Sequence, residues 1–142
     1  MSDDNFTQLG NGIHKVRIDG DLVIMRSLGV TTLADIEALR SICDRVKQEH
    51  GSLYVMYDSR QGQGVDRETR KRLMQPTPDE VRPNAAVAFG AKFSSRILIN
   101  MIDRALVAFG KTPSGVAMVE TEEEARAHIQ RHRRKSSRLS RP

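Results

Sequence analysis

The chain holds one cysteine, no tryptophan, two tyrosines and four phenylalanines among 142 residues. A lone thiol, Cys43, excludes an internal disulfide, so packing alone must hold the fold. The neighbours of Cys43 at helical spacing are apolar, and a small buried core residue in a reducing cytoplasm accounts for it. With aromatics this scarce, the core must come from Ile, Leu, Val, Met and Ala, and no aromatic platform for stacking bases is visible. Long hydrophobic runs are missing as well. Ala85 to Phe89 and Ala105 to Phe109 are among the longest and fall far short of the roughly 20 residues of a membrane span. The start, Met1 to Phe6, lacks the basic-then-apolar order of a secretion signal, and a cytoplasmic location is expected. Gly-x-Ser-x-Gly, Cys-x-x-Cys and His-Glu-x-x-His are absent, so covalent, redox and zinc chemistry have no sequence signal and no cofactor is expected.

An excess of one charge sign is lacking in most of the chain and is concentrated at one end. The formal net charge is +5, yet residues 131 to 142 carry Arg131, Arg133, Arg134, Lys135, Arg138 and Arg141 with no acid. Taking that +6 from +5 leaves −1 for residues 1 to 130, so the high pI belongs to a tail. The tail residues Arg131, Arg133, Arg134 and Lys135 suit salt-sensitive contacts to nucleic acid or an anionic membrane, or simply a solubilising end.

What is present is a regular alternation of strand and helix patterns within one domain's worth of residues. His14 to Ile18 and Leu22 to Arg26 alternate on either side of Asp19-Gly20, a turn that suits a hairpin because Gly tolerates positive φ. Thr32 and Asp35 form an acid-bearing capping box ahead of Leu33, Ile36, Leu39, Ile42, Cys43 and Val46, which predicts a helix ending at Gly51. Leu53 to Tyr57 predicts a buried strand. Asp66 predicts the cap of a second, charged helix through about Met74, broken by Pro76, Pro78 and Pro83. Asn84 to Gly90 is a continuous apolar strand. Ser94 or Ser95 then caps a third helix with a wide apolar stripe, Ile97, Leu98, Met101, Ile102, Ala105, Leu106 and Phe109, closed by Gly110. Gly115 to Val119 is a fifth strand, and Thr121 to Glu124 opens a fourth helix through about His132. The fold class expected is α/β: one mixed sheet of about five strands, an antiparallel hairpin followed by parallel βα units, with about four helices. Residues 1–10 are expected to be flexible, 11–132 to form the domain and 133–142 to be a disordered basic tail.

In such sheets, ligands and partners are met outside the carboxyl ends of the strands. The junction after Tyr57 therefore draws the candidate site, with Asp58, Ser59 and Arg60 at the strand end and Asp66, Arg67 and Glu68 at the next helix start. Phe93, Ser94 and Ser95, after the following strand, are placed at the same edge by topology. Gly62-Gln63-Gly64 suits either an anion-cradling loop or a turn that needs positive φ. Glu124, His128 and His132 recur every four residues, a spacing open to metal, though no further ligands cluster with them and no metal site is assigned.

The element order, the Asp-Gly hairpin, the Tyr57-Asp58 strand end and Thr121-Glu122-Glu123-Glu124-Ala125 together resemble the STAS domain superfamily, over roughly residues 12 to 132. Within it the chain is most similar to the SpoIIAA-like, stand-alone relatives of anti-sigma-factor antagonists. In those antagonists the strand-end aspartate leads to an Asp-Ser-Ser-Gly motif whose serine a partner kinase phosphorylates. An ungapped match puts Asp58 on the first aspartate and Asp66 on the motif's aspartate, with Arg67 and Glu68 where the serines stand and Thr69 at the glycine. The phosphoacceptor is therefore missing. The resemblance implies a non-enzymatic regulatory or protein-interaction module in bacterial regulation, with another protein as main partner and a homodimer as a further state. A small-molecule or lipid-binding role, with a small apolar ligand under the third helix, and nucleic-acid binding through the tail are the two alternatives.

Overall fold

The structure is a computed structural model that describes residues 5–74, 82–110 and 115–139. Pro76 and Pro78, expected to break the second helix, lie outside the described residues, as do residues 1–4 and 140–142. Within the described residues one mixed sheet carries six strands in sequential order: β1 (Thr7–Gln8), β2 (Lys15–Asp19), β3 (Leu22–Arg26), β4 (Tyr54–Asp58), β5 (Ala85–Phe89) and β6 (Val116–Val119). The first three strands are antiparallel, and β3 to β6 are parallel. Four helices accompany them, α1 (Leu33–His50), α2 (Arg67–Leu73), α3 (Phe93–Ala108) and α4 (Glu122–Leu139).

The expected α/β class and hairpin are thus present, with one strand more than expected. Thr7 and Gln8, read from the sequence as part of a flexible start, pair with Val16 and Lys15. The reason is visible in the next residue: Leu9 is wholly buried in the core, and its N–H donates to the His14 carbonyl at 2.9 Å. One buried apolar side chain ties down a segment that composition marks as polar. At the other end, α4 continues as helix to Leu139 rather than stopping near His132.

Local signals account for most element ends. Thr32 and Asp35 form the expected capping box, each side chain bonded to the other's backbone, and Gly51 closes α1 at φ +74° in the left-handed region where Gly carries no penalty. Asp66 caps α2 by accepting from the Thr69 N–H at 2.8 Å. The cap of α3 differs from expectation. Its N-cap is Lys92, without a side-chain bond, and Ser94 and Ser95 stand inside the first turn.

Because β3 to β6 step in one direction, the right-handed crossover rule assigns α1, α2 and α3 to one face of the sheet, and α1 and α2 are in contact. On that face Leu39 and Val46 of α1 pack on Val16, Val23, Met25, Val55 and Ala86. The opposite face belongs to α4, whose Ala125 and Ile129 pack on Leu22, Ile24, Tyr54, Met56, Ala85, Val87 and Phe89. Strand alternation therefore sends Asp58, two residues beyond Met56, toward the α4 side.

A buried polar cluster braces the carboxyl-end loops. His14 is fully buried; its Nδ1 accepts from the Leu28 N–H at 3.0 Å, so Nε2 carries the ring proton and donates to the Val30 carbonyl at 3.1 Å. The same nitrogen lies 3.3 Å from the Asp35 carboxylate, which ties the β3–α1 loop to the start of α1.

Candidate functional site

The carboxyl end of the sheet is organised around Asp58, which is only 4% exposed at the end of β4. The parallel register sets Arg26, the last residue of β3, directly opposite it. Arg26 Nε donates to Asp58 Oδ2 at 3.3 Å. Arg60 folds back onto the same carboxylate, giving its backbone N–H to Oδ1 at 3.2 Å, Nε to Oδ1 at 2.9 Å and an Nη to Oδ2 at 2.7 Å. Burial by itself would raise the Asp58 carboxyl, but the Arg60 bonds and charge, joined by the Arg26 charge, hold it below the usual carboxylate value. Asp58 is therefore a fixed anion between two guanidinium groups.

Aromatic rings complete this corner. The Arg26 guanidinium lies 3.9 Å from the Phe6 ring centre and that of Arg60 5.2 Å from Phe89. Gly90, at φ +71°, leaves the space that Arg60 occupies, since a Cβ there would overlap Arg60 Cγ. Below Asp58 a small open cleft of about 210 Å³, solvent at its mouth included, is lined by Phe6, Ile24, Arg26, Met56, Phe89, Glu122 and Arg126 besides Asp58 itself. Arg126 Nε donates to Glu122 at 2.9 Å one turn away on α4. The floor is apolar, and the rim pairs two carboxylates with two guanidiniums.

The candidate residues are therefore divided between two sides. Asp58 lines the cleft beside α4, while Asp66, Arg67 and Glu68 open α2, which packs on α1, and Phe93, Ser94 and Ser95 open α3, which the crossover rule assigns to the α1 side. Ser59 is half-buried and uses its N–H on the Phe89 carbonyl at 3.0 Å. Arg67 and Glu68 are exposed. Residues the sequence reading missed are Phe6, Arg26, Glu122 and Arg126, all of which line the Asp58 cleft. A basic residue ending one predicted strand and an acid ending the next parallel one was the available signal for Arg26.

The glycine loop is stitched to its neighbour. Gln63 N–H donates to the Gly29 carbonyl at 2.9 Å, Thr31 N–H to Gly64 at 2.9 Å, Asp66 N–H to Thr31 at 3.1 Å and Gly62 N–H to Ser59 at 3.2 Å. Those donors close the loop rather than an anion site, and Gly64 supplies the positive φ at +83°. This decides between the two readings of Gly62-Gln63-Gly64 in favour of the turn.

The other candidates also find definite places. Arg133, expected in a disordered tail, donates to Asp21 at 2.7 Å and stacks 4.7 Å from the centre of Tyr54, which fastens α4 to the β2–β3 turn. Arg131, Arg134 and Lys135 are exposed on the same helix. His128 and His132 stack with ring centres 4.6 Å apart, and burial, followed by the neighbouring His132 and Arg131 charges, lowers the His128 pKa. Among the described residues no group of three His, Cys, Asp or Glu side chains is placed to hold a metal, and no helix is long and apolar enough to cross a membrane.

The least expected surface belongs to α3. Of its apolar stripe only Ile102 is fully buried, whereas Phe93, Ile97 and Met101 are 77%, 43% and 47% exposed. Spaced by four, these three residues form one outward line that starts at the carboxyl edge of β5. Compared with known proteins, the chain matches no family model and no curated protein.

Proposed function

We propose that this chain is a non-enzymatic regulatory module that acts by binding another protein, in the manner of STAS-like proteins but without their phosphoacceptor serine. The observation that carries the reading is the outward line of Phe93, Ile97 and Met101 on α3. Large apolar side chains grouped on a surface are characteristic of contact sites, whereas scattered ones are ordinary. The charged groups around Asp58 support the same reading from the other side. They are spent on one another and on backbone, which makes a rigid scaffold for the loops, and their mutual pairing leaves Asp58 as a fixed anion rather than a proton carrier.

A photo-reactive amino acid placed at Ile97 or Met101, in cells of the source organism, tests the proposal. One recurring protein should be captured from these positions and not from Glu37, an exposed residue of α1. Capture from neither position would refute a protein-binding role for this face.

A further inference from the structure

We infer that the outer face of α3 receives an amphipathic helix whose apolar side carries a carboxylate, and that Arg104 is the residue that reads it. The inference rests on the protein-binding proposal above and specifies the partner's chemistry. At about 100° per residue, positions 93, 97, 101, 104 and 108 fall within roughly 80° of arc on α3. That face thus presents Phe93, Ile97, Met101 and Ala108 with one guanidinium, Arg104, in their midst. Arg104 is exposed and takes part in none of the ion pairs formed among the described residues. Lys92, also exposed, stands at the start of the same helix and adds a second positive charge at its rim.

The position of Arg104 separates the occupants. A covering surface that is apolar throughout would bury a guanidinium without a partner, which costs more than the apolar contacts return. Two copies of this face would bring Arg104 against like charge from the other Lys92 and Arg104. An anionic membrane favours cations at the border of an apolar face rather than at its centre. A helix with apolar residues at i, i+4 and i+7 and an Asp or Glu among them meets both requirements, because the carboxylate takes a two-pronged bond from Arg104 while the flanking side chains cover Phe93, Ile97 and Met101. Arginine surrounded by apolar contacts is also the usual composition of an interface centre.

The test uses the full chain and two synthetic peptides of about 20 residues. Each has Leu at the i, i+4, i+7 and i+11 positions and a single Trp on its far side, and they differ only in Glu or Lys at the centre of the apolar face. Because the protein has no tryptophan, peptide fluorescence reports binding directly. The Glu peptide should bind at least about tenfold more tightly than the Lys peptide. Its hydrogen-exchange footprint should fall on Phe93–Ala108. Arg104→Glu should reverse the preference, and Arg104→Lys should keep its sign at reduced strength; the site is exposed, and circular dichroism verifies folding. Equal binding of the two peptides, or a footprint elsewhere, would overturn the inference. So would protection of α3 by vesicles of phosphatidylglycerol, or by raised protein concentration alone. Photo-capture of a protein at Ile97 together with equal peptide binding would leave the binding proposal standing and sink this one.

Discussion

Replacing Asp58 by alanine is the most direct test of how the carboxyl edge is built. The substitution removes an acceptor of four hydrogen bonds, three from Arg60 and one from Arg26. The two arginines are not equally affected. The Arg60 side chain is 55% exposed, so its ion pair contributes at most about 1 kcal/mol. The Arg26 side chain is only 16% exposed beneath Phe6 and loses its ion pair with Asp58, a cost of about 1–3 kcal/mol. Asp58→Ala should therefore cost about 2–4 kcal/mol in urea unfolding at pH 7. At roughly 3 °C per kcal/mol for a chain of this length, Tm should fall by about 6–12 °C. In an Arg26→Ala background the same change should cost less by about 1–2 kcal/mol, because the Arg26–Asp58 pair is already absent. The pH dependence has a definite sign. A carboxyl held below its unfolded value of about 3.9 stabilises fully above that pH and loses the contribution as pH falls through the native value. The gap between wild type and Asp58→Ala should be constant from about pH 6 to 8 and should close below about pH 4. A cost under about 0.5 kcal/mol, or an equal cost with and without Arg26, would refute the account.

Three further outcomes follow from the packing. His14→Ala empties a fully buried site and removes the acceptor for the Leu28 N–H and the donor to Val30, and should cost about 2–4 kcal/mol in denaturant unfolding. Burial, with some help from Asp44, pushes the Cys43 thiol up to about 11, so an aromatic disulfide reagent at pH 7.5 should react with it slowly in the native protein and at least about tenfold faster in urea. Arg133→Ala loses the ion pair to Asp21 and the stacking on Tyr54, and hydrogen exchange should rise in residues 130–135 of α4 while α1 is unchanged.

The features legible in the sequence were those decided by neighbours a few residues apart. Thr32 with Asp35, Asp66 with Thr69 and Gly51 after His50 set their helix ends through bonds spanning at most four residues, and the hairpin turn is equally local, although it falls on Gly20-Asp21, with Gly20 at φ +62° and Asp19 still paired to Leu22, one residue beyond the expected Asp19-Gly20. What the sequence did not display depends on pairing at a distance. Arg26 meets Asp58 only because the parallel register aligns two strand ends 32 residues apart. Thr7 and Gln8 are only two exposed polar residues, too few to show a strand alternation, and their pairing follows from the burial of Leu9. The candidate site was displaced for the same reason. Asp58 and Asp66 are close in the chain, yet strand alternation and the crossover rule assign them to opposite sides of the sheet. The apolar stripe of α3 was visible as a stripe, but its breadth exceeded what the sheet covers, and only the structure divides it into an inner and an outer line.

The sequential strand order also governs how this chain is made. Each strand from β2 to β6 finds its neighbour already synthesised, so the sheet grows one ribbon at a time in the order of translation, with no strand waiting for a partner. The α4 face is the exception. Leu22, Ile24, Tyr54, Met56, Val87 and Phe89 stay uncovered until the last of these elements returns across β5 and β4. A nascent chain halted before Glu122 would therefore present a nearly complete sheet with one greasy side bare, and it is at that moment that a chaperone has most to protect.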